Sequence, residues 1–459
     1  MNQIQVNFTK NTGKMKPMHA VNNGPVYKFT VDQRITNIDA FREAEIPYAR
    51  THDAAFYASY GGEHTVDMLA IFPDFDKDVN DPASYDFTLT DEYLKVMVFA
   101  GVKPFYRLGS KIEHWPKKYG TLPPKDNQKW AEICEHIIRH YTEGWADGFN
   151  YDIEYWEIWN EPDGAPDDAD YVDKKCWGGT MREFFELYRV AATHLKKCFP
   201  HLKIGGPALT VAITDWTKAF FDFVKENNVP MDFFSWHCYA NHPGIDLKIE
   251  SEVRELLDSY GFTKTESILN EWNYVRSFCG DDWLYSLKAE KGLKGASFTT
   301  AVMCGSQYRP LDMLMYYDAR PCAMNGLFAT DYVCDRLKGY YPFRMFNALV
   351  KCGMSVEATS DYEPLYVCAA KEETKNGKMA VLVTHFDEND AAEAKSVKIT
   401  LADMDITEPM KISYYILDET HDEELVREEI VTGKTAAAYL TLPNFTTYLI
   451  KIEKASFKL

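Results

Sequence analysis

The chain has 459 residues, of which 46% are hydrophobic and 26% charged, a balance that excludes a disordered chain and a small disulfide-held module. A formal charge of −19, from 50 basic and 69 acidic residues with no dense basic cluster, argues against nucleic acid as a partner. Aromatic residues make up 14% of the chain, and flat rings with polar tips suit the apolar faces of polar ligands such as sugars.

In chain order, the first dozen residues alternate Ile4, Val6 and Phe8 and read as an edge strand for a sheet completed elsewhere. Short runs rich in β-branched and aromatic residues then predict strands over 14–22, 46–52, 102–108, 155–160, 203–208, 233–239, 267–272 and 313–318. Helical periodicity separates most of them, over 35–44, 91–100, 127–141, 181–198, 214–226, 249–259 and 283–304. This alternation predicts an α/β fold of the closed (β/α)8, or TIM barrel, type. Beyond residue 349 the helical period vanishes, and strands over 366–370, 379–385, 396–401, 411–416, 438–441 and 447–452 predict an accessory antiparallel β-sandwich domain. The expected division is a barrel over 15–350 and a sandwich over 351–459 joined by 1–14.

Ten cysteines, all beyond residue 133 and without a CxxC pair, read as free and mostly buried thiols. No run of about 18 apolar residues suggests a membrane span. The opening MNQIQVNFTK has neither the basic nor the apolar region of a signal peptide. The expectation is a soluble protein, cytoplasmic as given, or periplasmic or secreted if a leader has been removed. Assembly into a homo-oligomer stays open.

In such a barrel, functional groups stand at the carboxyl ends of the strands. Strand four ends in Trp159-Asn160-Glu161-Pro162 and strand seven in Asn270-Glu271-Trp272. The two glutamates lie 271 − 161 = 110 residues apart, three βα units of about 37 residues, so both should face one mouth from opposite sides. Two facing carboxyl groups are the minimum for cleaving a glycosidic bond: one protonates the leaving oxygen and the other puts negative charge behind the anomeric carbon. Glu161, after a Trp-rich strand, is expected to keep its proton and act as acid/base. Glu271, with donors available in His237 and Tyr239, is expected to be the ionised nucleophile.

These motifs, with Gly205-Gly206-Pro207 at strand five and Ser235-Trp236-His237-Cys238-Tyr239 at strand six, resemble the retaining glycoside hydrolases of clan A. Within that clan the resemblance is to family 39, the β-xylosidase and α-L-iduronidase family. It implies the same roles for Glu161 and Glu271, a sugar 2-hydroxyl held by Asn160, and a sugar contact from His52 in Arg50-Thr51-His52-Asp53. It also implies that His237 and Tyr239 serve the nucleophile side. The family's strand eight carries a further glutamate, whereas this chain reads Leu314-Met315-Tyr316-Tyr317-Asp318, so Tyr316 or Asp318 is expected to take part of the sugar contact.

Arg50, Arg107 and Glu157, charges inside strands, are expected to form an ion-pair network under the pocket, with Arg50 also favouring ionisation of a nearby carboxylate. Of Trp115, Trp156, Trp159, Trp236 and Trp272, about half should be packing, and Trp115, in the loop after strand three, is the expected sugar platform. The inserts over 54–90 and 110–126 are expected to wall the pocket. The function expected is a retaining exo-acting O-glycosyl hydrolase, possessing altered sugar specificity, that acts on a glycoside or oligosaccharide without cofactor or metal. The rivals are a weakly catalytic carbohydrate-binding protein on the same scaffold and a metal-dependent sugar isomerase. For the isomerase, His52, Asp53, His237 and His242 offer ligand types, but no HxH, HExxH or Cys-His cluster supports it.

Overall fold

A computed structural model describes residues 1–29, 34–53, 64–330 and 334–455. Eight parallel strands close into a barrel in chain order: Ala20–Asn22, Tyr48–Thr51, Lys103–Leu108, Tyr155–Ile158, Lys203–Leu209, Phe233–Ala240, Glu266–Tyr274 and Met313–Tyr316. These are numbered one to eight below. Strand one is shorter than expected, because residues up to Lys14 belong to the accessory sheet, where Lys14 pairs with Met354.

The helices sit close to the periodicity. Met181–Cys198 is bounded as expected, and Thr180 and Glu183 close it with a reciprocal capping box. The single helix expected over 283–304 is two, Gly280–Ala289 and Leu293–Gln307, with Gly292 at the N-cap of the second. Lys291 turns from the helix there, and its ammonium donates to the carbonyls of Ala323 (2.6 Å) and Asn325 (3.1 Å).

Inside the barrel the floor is apolar: Ala20, Phe105, Tyr155, Phe233, Ile268, Met313 and Met315 form a separate buried cluster. One layer nearer the carboxyl ends, the interior turns polar with Asn22, Arg50, Arg107, Glu157, Ser235 and Asn270, all completely buried. This change from apolar to polar layers is how a packed barrel presents chemistry at one face only.

The accessory domain holds nine strands in one hydrogen-bonded set, antiparallel except where Asn2–Lys14 runs parallel to Lys395–Ala402. The amino-terminal segment is therefore not an edge. It lies between Met354–Ser360 and Lys395–Ala402, its Ile4, Val6 and Phe8 in the core. Two strands have no counterpart in the sequence reading, Met354–Ser360 and Asp422–Val431. The second reads as polar because it pairs along only one side and is mostly exposed. All ten cysteines are free thiols. Among the described residues no helix is long and apolar enough to cross a membrane.

Candidate active site

The end of strand four is shaped by two residues in the left-handed backbone region, Trp159 (φ 77°) and Glu161 (φ 49°). Such conformations are costly for side-chain-bearing residues and gather at sites where geometry matters. Two backbone bonds hold the turn: Trp159 N–H donates to Leu108 (2.9 Å) and Glu161 N–H to Ala208 (2.9 Å). Trp159 thereby packs outward on Trp130 and Trp177, while Asn160 and Glu161 enter the mouth.

Strand seven reaches the same result differently. Its register against strand six slips between Leu269 and Glu271, so Leu269 stands opposite Trp236 but Glu271 opposite His237. The bulge lets two consecutive residues serve the interior, Asn270 below and Glu271 at the mouth, where strict alternation would turn one of them outward. Asn270 donates to Glu157 Oε1 (2.5 Å), while Glu271 joins Arg50, Tyr239 and His237.

One oxygen from each glutamate and one nitrogen of His237 lie within 4.8 Å of one another. Arg50 organises the set. Its Nε donates to Glu157 Oε2 (2.6 Å), Nη1 to Glu271 Oε1 (2.7 Å) and Asn22 Oδ1 (3.1 Å), and Nη2 to Asn160 Oδ1 (2.6 Å). Glu157, completed by Ser235 and Asn270, neutralises the buried guanidinium from below. The expected ion pair under the pocket is present for Arg50 and Glu157 but does not include Arg107, and Arg50 extends from it to the glutamate at the mouth. Arg107 belongs to a separate pair with Asp67 (2.7 Å).

Glu271 receives Arg50 on one oxygen and the Tyr239 hydroxyl on the other (2.8 Å). Burial pushes its pKa up, and His237, Arg50 and the Tyr239 hydrogen bond act against that rise. Glu161 is also raised by burial, opposed by the Cys176 thiol and a more distant Arg50. Its direct partners are Cys176 Sγ (3.4 Å) and His237 Nδ1 (2.9 Å). Burial lowers the pKa of His237, opposed by the Glu271 charge beside it, and among the described residues no Arg or Lys pairs with Glu161. Arg50 is thus hydrogen-bonded to Glu271 and not to Glu161.

His237 does not serve mainly the nucleophile side: its Nδ1 lies 2.9 Å from Glu161 and 3.6 Å from Glu271. His52 Nε2 lies 3.9 Å from Glu271 Oε1, and burial holds its pKa well below the ordinary value. Asn160, with its oxygen held by Arg50, keeps its amide nitrogen as donor. Tyr316 is not at the mouth. Its ring packs edge-on against Trp272 (5.5 Å) and Phe343 (5.6 Å), on the outer face of strand eight. The next residue, Tyr317, takes the inner position beside His52 and Tyr239. Asp318 is fully buried, and its carboxylate is taken up by the Arg320 backbone N–H and guanidinium and by the Cys322 thiol. Trp156, Trp159, Trp236 and Trp272 are all core, whereas Trp115 is 67% exposed and has no ring contact among the described residues. Residues 54–63 of the first pocket-walling insert lie outside the described residues.

Three features were missed by sequence reasoning. Cys176 lies in the long loop after strand four, and nothing local marks it. Asn22 ends strand one as Asn160 and Asn270 end theirs, a repetition that could have flagged it. The third is a charged rim: Asp53 faces Arg320 (3.1 Å) and Lys111 (3.4 Å). Although burial alone would raise it, His52, Arg320 and Lys111 hold the Asp53 carboxyl well below the usual range.

Glu161, His237 and Glu271 could each offer a ligand atom to a metal, but Arg50 already supplies the positive charge that Glu271 faces. Glu135, His194 and Cys198 also converge, between the helices Asn127–Glu143 and Met181–Cys198, where Glu135 is paired with Arg139 and His194.

The profile of Glycosyl hydrolases family 39 matches residues 9–259, more than half of the chain. The chain belongs to glycosyl hydrolase family 39. It is 29% identical over 252 residues to a β-xylosidase from Caldicellulosiruptor saccharolyticus, covering 52% of this chain and 46% of that one. It is 28% identical over 224 residues to a β-xylosidase from Geobacillus stearothermophilus, covering 46% and 41%. The chain thus spans under half the length of these relatives. Over the whole fold it superposes on a glucosidase from Croceicoccus marinus with a TM-score of 0.80 at 22% identity, covering 99% of this chain and all of that one. At that identity the likeness speaks for the shared architecture.

Proposed function

We propose that this family 39 protein is a retaining, exo-acting O-glycosyl hydrolase in which Glu161 is the acid/base and Glu271 the nucleophile. The observation that carries the reading is the close, asymmetric carboxyl pair: oxygens within 4.8 Å, with Arg50 on Glu271 alone. Retaining enzymes hold their carboxyl groups about 5–5.5 Å apart, whereas inverting ones need about 6.5–9.5 Å to admit water.

Glu271, kept ionised by Arg50 and Tyr239, attacks the anomeric carbon as Glu161 passes its proton to the departing oxygen. A covalent glycosyl-enzyme results, and Glu161, now a carboxylate, takes a proton from the water that attacks it. Release of the sugar regenerates both groups. Asn160 is read as the donor to the 2-hydroxyl, a bond that strengthens as charge develops. His52 and Tyr317 are read as further contacts to the bound sugar ring. Exo action is read from the lower exposure of the Glu271 side chain, 6% against 20% for Glu161, as expected of the inner end of a one-sided pocket. No step calls on a cofactor. The same reading takes 15–350 as the catalytic domain and 351–459 with 1–14 as its companion.

The relatives make a β-xyloside the first substrate to try, with galactosides, glucosides, arabinofuranosides and iduronides beside it. Proton NMR of the first sugar released should show the anomeric configuration of the substrate. Release of the opposite anomer would overturn the retaining assignment. Sugar binding with no turnover on any of these glycosides would favour the binding-protein reading.

A further inference from the structure

The helices Asn127–Glu143 and Met181–Cys198 flank strand four on the outer wall of the barrel and pack on each other. His194 and Cys198 stand four residues apart, on one face of the second helix, and Glu135 meets them from the first. One ligand atom from each residue lies within 4.8 Å of the other two. His194 Nε2 is 2.6 Å from Glu135 Oε2 and 3.8 Å from Cys198 Sγ. Cys198 is the last residue of its helix, just before the chain enters strand five at Lys203, so the cluster lies toward the barrel end opposite the mouth.

Ion pairing explains two of the three residues. Glu135 Oε1 accepts from Arg139 Nε (2.8 Å), which leaves Oε2 to His194. The same guanidinium pairs with Glu143 and lies over the Phe199 ring, 5.1 Å from its centre, so it is fixed in place. Gln128 holds the other side of the imidazole, its amide 3.2 Å from Nδ1. Cys198 is not explained in this way. A thiol is a weak hydrogen-bonding group, and burial and Glu135 push its pKa up against Arg139 and Lys197. A cation between the three residues is what converts such a thiol to its thiolate. The charges then close: Glu135, Glu143 and the thiolate carry three negative charges, which Arg139 and one divalent ion cancel.

We propose that Glu135, His194 and Cys198 form a binding site for a divalent metal ion of the zinc type, completed by water, that clamps together the two helices flanking strand four. Sulfur with imidazole selects zinc over magnesium or calcium, which take oxygen ligands. Tetrahedral zinc, with bonds of about 2.0–2.3 Å, sets neighbouring ligand atoms about 3.3–3.7 Å apart. The spacings here bracket that range, and side-chain movements of about 1 Å seat the ion. Binding sends the Cys198 proton to solvent and leaves the imidazole proton on Nδ1, where Gln128 accepts it once its amide turns to present oxygen. The site takes no part in the reaction read at the mouth and does not depend on that reading.

The test uses the intact protein, stripped with a chelator and titrated with zinc against a chromophoric competitor, with cobalt(II) as a spectroscopic probe. One zinc per chain should bind and raise the melting temperature, and cobalt should give a sulfur-to-metal charge-transfer band in the near ultraviolet. Cys198→Ser and His194→Ala, each checked for folding by circular dichroism, should lower zinc affinity by about tenfold or more, and Cys198→Ser should remove the cobalt band. The mouth also gathers ligand types, so the combined Glu161→Gln and Glu271→Gln variant should keep both the affinity and the band. A second readout needs no substitution: zinc should slow alkylation of Cys198 by iodoacetamide about tenfold or more and leave the exposed Cys279 as reactive as before. Absence of stoichiometric zinc would overturn the site. So would a band that survives Cys198→Ser or is lost with the two mouth carboxylates, or equal alkylation of Cys198 with and without zinc.

Discussion

Strands four and seven bring the same dipeptide, Asn-Glu, to the mouth, yet the two are set there by opposite means. At strand seven a bulge brings Glu271 against a guanidinium and a phenol, and Asn270 is spent beneath it on Glu157. At strand four two left-handed residues bring Glu161 against a thiol and an imidazole, and Asn160 is held at the mouth by Arg50. Equal side chains thus meet different neighbours, which is the basis of the different charge states proposed for them. The motif supplies the carboxyl groups; Arg50 supplies the distinction between them.

The sharpest way to break the comparison is to remove one carboxylate at a time. Glu271→Gln should lower kcat/KM by about 10⁴-fold or more on every glycoside, because no covalent intermediate can form. Glu161→Gln should lower it comparably on sugars with poor leaving groups but far less on a dinitrophenyl glycoside, which departs without a proton. Added azide should raise turnover of the dinitrophenyl glycoside by Glu161→Gln, with an azido-sugar as product. Azide effects of the same size in both variants would erase the difference claimed for the two ends.

Arg50→Met addresses the cause of the difference. It leaves Glu157 and Glu271 buried without their cation, and loss of one partner from such a network costs about 3–5 kcal/mol, readable by urea denaturation. In the folded variant the Glu271 pKa should rise further. The acid limb of the kcat/KM profile should then move to higher pH than in the intact protein. Tyr239→Phe should move the same limb in the same direction by a smaller amount, since it removes one hydrogen bond and no charge. The alkaline limb, set by loss of the Glu161 proton, should stand above the ordinary carboxylate range because burial raises that pKa.

Carboxyl groups buried without any cation in contact complete the series. Asp246, on the helix Pro243–Tyr260, has its pKa pushed by burial to about 7, and Glu250 to about 8. Burial outweighs what the Cys238 thiol offers Asp246 and what the Ser306 hydroxyl (2.6 Å) offers Glu250. Their folded values exceed the unfolded ones, so the folded state holds more protons. The stability this gives is complete below the ordinary carboxylate range and is lost as pH rises through about 7 to 8. Asp246→Asn with Glu250→Gln should flatten the fall in melting temperature between pH 5 and pH 9. An unchanged slope would show that these two groups do not set it.

Much of this was legible in the sequence because barrel strands alternate with periodic helices and each strand end is marked by its own residues. Asn160, Glu161, Asn270 and Glu271 could be read as a set since strand spacing alone puts them at one mouth. Tyr316 was misassigned for a local reason: one residue of register decides which face a strand side chain takes, and Tyr317 has the inner one. The Asn2–Lys14 strand was misread as an edge because alternation reveals burial but not how many neighbours a strand has. Cys176 was invisible, since its contact with Glu161 is fixed by loop conformation.

The most direct measurement is intact-mass analysis of the protein after incubation with a 2,4-dinitrophenyl 2-deoxy-2-fluoro-β-xyloside, followed by peptide mapping. The fluorine slows both formation and hydrolysis of the glycosyl-enzyme, and the good leaving group speeds formation alone, so the intermediate accumulates. The account predicts one added fluorosugar per chain, carried by Glu271 and absent from Glu271→Gln. A protein that turns over the parent xyloside but gains no mass, or carries the label on Glu161, would contradict it.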